Sequence, residues 1–145
     1  MLQMGERWVA SGGGSTFRDG RGRTSALKTR PCPSLNEAVM STTSPVGYFN
    51  DAEQKAFWAL SAQARLTRFG GDCYAYGLLA MGFIDLIVEA TLQPWDVQAL
   101  IPIVENAGGV MTTWTGAPAQ DGGRVVACGD ATLHAAVLEA LGAVR

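Results

Sequence analysis

The side chains here that could hold a metal or move a proton are thirteen acidic residues, one histidine and three cysteines. His134 sits in Leu133-His134-Ala135-Ala136-Val137-Leu138, an apolar helical pattern where an imidazole packs more readily than it serves as a base. Cys32, Cys73 and Cys128 are isolated and odd in number, with no C-x-x-C pair. They predict buried free thiols rather than a disulfide framework or a zinc site. Carboxylates are left. In Glu89-Ala90-Thr91-Leu92-Gln93-Pro94-Trp95-Asp96, Asp96 falls in the first turn of a helix whose apolar face is Val97, Leu100, Ile101 and Val104, and which stops at Ala107-Gly108-Gly109. The helix dipole favours an anion there, and Pro94 and Trp95 stiffen the approach. Asp96 is therefore either a pre-oriented oxygen ligand for a hard cation or an aspartate that only stabilises its helix. One carboxylate does not make a metal site. Asp72, just before Tyr74, reads from spacing alone as a helix cap, and Glu89 as a charge at a strand end.

These carboxylates need elements to carry them. The strand-like pieces Arg7–Ala10 and Ala26–Thr29 lie beside the turn-rich Ser11–Ser15 and Asp19–Arg23, which predicts hairpins at a sheet edge. Ser11-Gly12-Gly13-Gly14-Ser15 lacks the G-x-x-x-x-G-K-[ST] spacing and a preceding buried strand, so it predicts a turn and not a phosphate cradle. Ser34, with Glu37 three residues on, predicts a short capped helix before a strand at Val39–Thr42. After Asp51 the spacing of Ala52, Ala56, Phe57 and Leu60 predicts a helix, and Arg65–Phe69 a strand closed by Gly70-Gly71. The rest alternates: helix Tyr74–Met81, strand Asp85–Glu89, helix Val97–Asn106, strand Val110–Thr113, strand Arg124–Cys128 and helix Thr132–Leu141. This predicts an α/β fold, a layered sheet with helices on its faces, in one unit over 1–145. Periodicity leaves open whether the sheet is parallel or mixed.

A formal charge of −2 and a pI near 5.3 give no broad positive field, which argues against a nucleic-acid partner. The longest apolar stretch, Gly77 to Ile84, is ended by Asp85 and is far too short to cross a bilayer, so no membrane association is expected. The start, Met1 to Arg7, has no apolar segment followed by a cleavage site. That predicts a cytoplasmic protein.

Pro94-Trp95-Asp96-Val97-x-Ala99, followed by Ile103-Val104-Glu105-x-Ala107-Gly108-Gly109, resembles the W-D-x-x-A…E-A-G-G signature of the inositol-monophosphatase superfamily. The resemblance implies that Asp96 ligates a divalent metal, magnesium, beside the substrate phosphate. Arg68-Phe69-Gly70-Gly71-Asp72-Cys73-Tyr74-Ala75-Tyr76 is similar to the G-D-x-x-x-Y segment of the histidinol-phosphatase branch, where inositol phosphatases usually carry a small uncharged residue at the position of Asp72. Asp72 would then read a cationic substrate, together with Glu89, which matches the family's substrate-contacting acid. Two carboxylates beside a ligand amine would select an amino alcohol over a neutral polyol. Gly5–Trp8, Thr29–Cys32, Ser41–Pro45 and Gly129-Asp130-x-x-Leu133-His134 extend the similarity over nearly the whole chain. Ser41, Thr42 and Thr43 fall at a strand exit where family members approach substrate.

The resemblance thus implies the C-terminal half of an inositol-monophosphatase-like αβαβα sandwich. It also implies magnesium-dependent hydrolysis of a small phosphate monoester, with histidinol phosphate the leading substrate and an inositol or related sugar phosphate the runner-up. The family's G-E-E and D-P-x-D-G-T segments are not in this sequence: no Asp precedes a Pro and no two Glu are adjacent. Two metal ions and an activated water cannot be assembled from these residues in the family's way, so no catalytic residue is assigned within the chain. The favoured expectation is a fragment of a longer product. The rival is a truncated relative that binds or scaffolds without hydrolysing. An unpaired strand edge in the hairpin region predicts self-association, as a homodimer or as aggregates.

Overall fold

The computed structural model describes residues 4–144. Its first element pair is β1 (Arg7–Ser11) and β2 (Gly14–Arg18), joined through Gly12 and Gly13 at φ 59° and 82°. A two-residue hairpin loop with both central residues at positive φ matches the strand twist, and glycine is the residue that enters that region without strain. β3 (Thr24–Ala26) adds antiparallel to β2. The predicted strand Ala26–Thr29 therefore lies earlier than expected. At Leu27 the chain leaves the ladder, and Thr29 N–H donates to Ala107 O at 2.9 Å.

The second sheet comprises β4 (Val39–Thr42), β5 (Leu66–Phe69), β6 (Leu86–Leu92), β7 (Val110–Thr113) and β8 (Gly123–Cys128), in the order β5-β4-β6-β8-β7. β4 runs parallel to both β5 and β6, whereas β8 is antiparallel to β6 and β7. The sheet is mixed. The helices are α1 (Pro45–Tyr48), α2 (Asp51–Ser61), α3 (Asp72–Ala80), α4 (Pro94–Val97), α5 (Leu100–Asn106) and α6 (Ala131–Leu141).

β6 is buried from Leu86 to Ala90, as a central strand covered on both faces must be. Leu86, Val88 and Ala90 join Phe57, Leu60, Trp114, Leu133 and Val137 on the α2 and α6 face. Ile87 joins Ala75, Leu79, Val97, Val104 and Met111 on the opposite face, under α3, α4 and α5. The three-stranded sheet then packs over α3 and α5 through Leu27, Ala80, Ala107, Trp8 and Phe17. A Cβ at Gly77 would come within 2.7 Å of Trp8, so only glycine lets α3 approach this closely. The result is helices, sheet, helices as the alternation predicts, with the hairpin strands forming a separate three-stranded sheet as a fourth layer and not the edge of the larger sheet that their turns suggest.

Several local expectations are corrected. Ser34 heads a 3₁₀ turn, Leu35–Glu37, without a side-chain cap bond. Too few residues separate Ser34 from β4 for a longer helix. The capping box belongs to α2, where Asn50 Oδ1 accepts from Glu53 N–H and Glu53 Oε2 accepts from Asn50 N–H. The helix predicted over Val97–Asn106 is divided into α4 and α5. α1 was not foreseen; Pro45 opens it after Ser44. Cys32 and Cys128 are buried, but Cys73 is exposed, because the first turn of α3 borders open space. His134 is a packed helix histidine as expected, sharing a 2.8 Å hydrogen bond with Thr112 Oγ1, and burial lowers its pKa. Among the described residues no helix is long and apolar enough to cross a membrane.

Candidate functional site

Glu89 is the deepest of the three singled-out carboxylates. It lies on the central strand and is buried, so it is not the surface charge at a strand end that its position suggested. Thr43 N–H and Thr43 Oγ1 both donate to Oε1 at 2.8 Å, and Thr42 Oγ1 donates to Oε2 at 3.1 Å. These donors sit at the end of β4, which runs parallel to β6 and therefore ends on the same side. The β6–β8 register shifts between Glu89 and Leu92, and Thr91 takes φ 60°. Bulges of this kind re-aim side chains beside sites, and a β-branched residue at positive φ is strained. Burial raises the Glu89 pKa. The Thr43 and Thr42 hydrogen bonds oppose that rise, and the charge of Asp72 adds to it.

Asp72 opens α3 at φ 44°, the other non-glycine residue at positive φ among those described. Gly71 occupies the N-cap position and no side-chain cap bond forms, so Asp72 is not the helix cap that its spacing suggested. Its exposed carboxylate lies close enough to Glu89 for their charges to interact. The two residues of the expected pair are thus brought together from α3 and β6.

Asp96 is exposed at the third position of α4, and its Oδ2 accepts from Gln93 N–H at 2.8 Å. Its helix-stabilising role is real and uses one oxygen, leaving the other for a ligand. Asp72, Glu89 and Asp96 line one cleft of about 600 Å³, shared with Thr43, Tyr76 and Trp95, and among the described residues no lysine or arginine lines it. An adjoining cleft of about 800 Å³ shares Asp72 and Cys73 and is walled by Glu6, Trp8 and Tyr74. Tyr74 donates to Glu6 at 2.9 Å, so that wall is internally paired. The smaller cleft gathers more unspent acid. Chemically it can hold a cation or a cationic group.

Tyr76 closes the G-D-x-x-x-Y segment that holds Asp72. It lies four residues after Asp72, which on a helix means the same face. That spacing is the signal that could have found it. Thr42 and Thr43 had no assigned roles, and the fold makes them the donors that hold Glu89. Among the described residues there is no group of three or more His, Cys, Asp or Glu able to hold a metal ion. Magnesium asks for near-octahedral oxygen coordination, with one or two carboxylates, waters and substrate phosphate. Asp96 can supply one ligand, but the donors present do not by themselves fit a two-ion magnesium site.

Residues 3–144 match the inositol monophosphatase family. The chain is 39% identical over 145 residues to a protein of Arabidopsis thaliana named bifunctional phosphatase IMPL2, chloroplastic, covering 94% of this chain and 40% of that one. It is 32% identical to a histidinol-phosphatase of Mycobacterium tuberculosis, covering 94% of this chain and 53% of the relative. The chain therefore spans about half the length of the curated relatives it matches. Among solved structures, an inositol monophosphatase from Zymomonas mobilis superposes with a TM-score of 0.77 at 38% identity, over 89% of this chain and 53% of that one. The extragenic suppressor protein suhB of Bartonella henselae gives a TM-score of 0.75 at 19% identity over 91% and 54%, a likeness of fold alone.

Proposed function

Because the chain belongs to the inositol monophosphatase family, we propose that it is the C-terminal portion of a phosphatase domain that hydrolyses a small phosphate monoester carrying an amine, histidinol phosphate in the leading case. The observation that carries this reading is the convergence of Asp72 and Glu89 in a cleft that no basic side chain lines among the described residues. A cationic ligand group would neutralise both, and charge-assisted hydrogen bonds of that kind are the strong ones. A neutral polyol, as in an inositol phosphate, would leave the two carboxylates repelling each other.

Within this proposal Asp96 is one ligand of a magnesium ion, which when bound neutralises phosphate oxygens and activates water. The residues of this chain do not suffice to build that nucleophile, and what they supply is binding and orientation. Thr42 and Thr43 fix Glu89, α4 fixes Asp96, and α3 presents Asp72. A cytoplasmic location and a homodimeric state belong to the same proposal. A second reading, a relative that binds its ligand without hydrolysing it, is favoured by the incomplete donor set.

The test is calorimetric binding of histidinol and of inositol to this chain, with phosphate release from histidinol phosphate measured with and without magnesium. Tighter binding of histidinol is expected, with Asp72→Ala removing about a factor of ten or more of its affinity and little of that for inositol. Equal losses on both ligands would sink the amine reading. No phosphate release is expected from this chain alone; magnesium-dependent release would show that other residues complete the site.

A further inference from the structure

Among the described residues two buried side-chain polar atoms have no hydrogen-bond partner, Trp8 Nε1 and Tyr76 Oη. Trp8 Nε1 is pressed against α3, where a Cβ at Gly77 would come within 2.8 Å of it, so packing accounts for its position. The Tyr76 ring packs in the core with Ala75, Leu79, Ile87 and Val97, which accounts for the ring but not for its unpartnered hydroxyl. Tyr76 is 3% exposed and lines the same cleft as Asp72, Glu89 and Asp96. A buried hydroxyl without a partner destabilises the fold, and phenylalanine would fill nearly the same volume without that cost. The fold keeps a polar atom that it does not itself satisfy.

The chemistry around that atom says what would satisfy it. A primary ammonium has three N–H donors and no acceptor. The Asp72 carboxylate makes no hydrogen bond among the described residues, and Glu89 Oε2 accepts only one, from Thr42. These two acids offer two acceptors, and a phenol oxygen beside them offers a third. Burial, and after it the charges of Glu89 and Asp96, raise its pKa, so it stays a neutral phenol whose oxygen can accept. A neutral ligand hydroxyl brings one donor and leaves two of the three acceptors unmet.

We propose that the Tyr76 hydroxyl is the third acceptor for a primary ammonium group of the substrate, beside Asp72 and Glu89, and so determines specificity for amine-bearing phosphate monoesters. This rests on the amine reading of the cleft given above and adds a residue to it.

The experiment compares this chain with its Tyr76→Phe variant by calorimetry against histidinol and inositol, together with the melting temperature of each. Tyr76→Phe is expected to weaken histidinol about tenfold or more, to leave inositol within about a factor of two, and to keep or raise the melting temperature. Unchanged histidinol affinity in the variant, when the parent chain binds, overturns the role of Tyr76 and leaves the Asp72–Glu89 reading standing. A parent chain that binds no histidinol overturns both. Should the variant not fold, tyrosine ¹³Cζ labelling of the parent chain reports the same contact without a substitution. The Tyr76 resonance should shift with histidinol, and one that stays fixed at saturation overturns the proposal.

Discussion

Glu89 is a buried acid whose charge costs the fold stability. Burial lifts its folded pKa above the ordinary value of 4.5, so over that window the folded chain keeps a proton that the unfolded chain has lost. Stability therefore falls as pH rises from about the unfolded value through the folded one, and stays reduced at neutral pH. Glu89→Gln keeps the shape and an acceptor for Thr43 while removing the charge. The expected outcome is a higher urea midpoint than the parent at pH 7, a gap that shrinks toward pH 4, and weaker histidinol binding. Denaturant titrations at the two pH values check it; a variant less stable than the parent at both would show that the Thr42 and Thr43 bonds outweigh burial. Glu89 was legible as a candidate only through the resemblance. Nothing in local spacing separates a buried strand acid from an exposed one, since its burial depends on β4 and β8 flanking it.

At the scale of elements, the motif segments away from the cleft act as staples. Arg30 donates to both oxygens of Asp85, at 2.7 and 2.5 Å, and Asp85 also accepts from Val39 N–H at 2.8 Å. One carboxylate thus ties the segment before β4, the first residue of β4 and the entry to β6. Cys32 N–H donates to Asp130 Oδ2, and Asp130 Oδ1 accepts from Thr132 N–H to cap α6. Asp85 is fully buried, so its replacement by alanine leaves Arg30 and a strand N–H without their acceptor. The Arg30 side chain is 41% exposed and can turn to water, so a loss of about 2–3 kcal/mol is expected, chiefly from the unmet strand N–H and the lost charge-assisted bonds, measured by chemical denaturation with histidinol affinity as a control on the sample that remains folded. A loss under about 1 kcal/mol would mean that water replaces the carboxylate. The resemblance included Thr29–Cys32 and Gly129-Asp130, yet their stapling role appears only when the two segments, about a hundred residues apart, are seen to meet.

For the molecule as a whole, unpaired edges set the expected behaviour in solution. β1 pairs on one side only, and β5 closes the larger sheet with Leu66 and Phe69 exposed beside Trp58. Open strands with apolar side chains favour pairing with another chain. The chain is expected to self-associate as concentration rises, giving a dimer or larger species by sizing with light scattering. A monomer at every concentration, with one cooperative unfolding transition, would remove that expectation.

What the sequence determined by itself was the layered α/β alternation, since the 3.6 and 2 periodicities and the turn residues are local, and the position of Asp96 in a first helical turn. The W-D and G-D segments pointed to the family, because each is a contiguous run of residues readable without the fold. The tertiary structure alone decided that the sheet is mixed, since strand direction depends on which strands meet and not on their composition. It alone placed Asp72 beside Glu89, gave Thr42 and Thr43 their partner, and left the Tyr76 hydroxyl without one. Each of these depends on contacts between elements that fold from separate parts of the chain, and no local pattern encodes them.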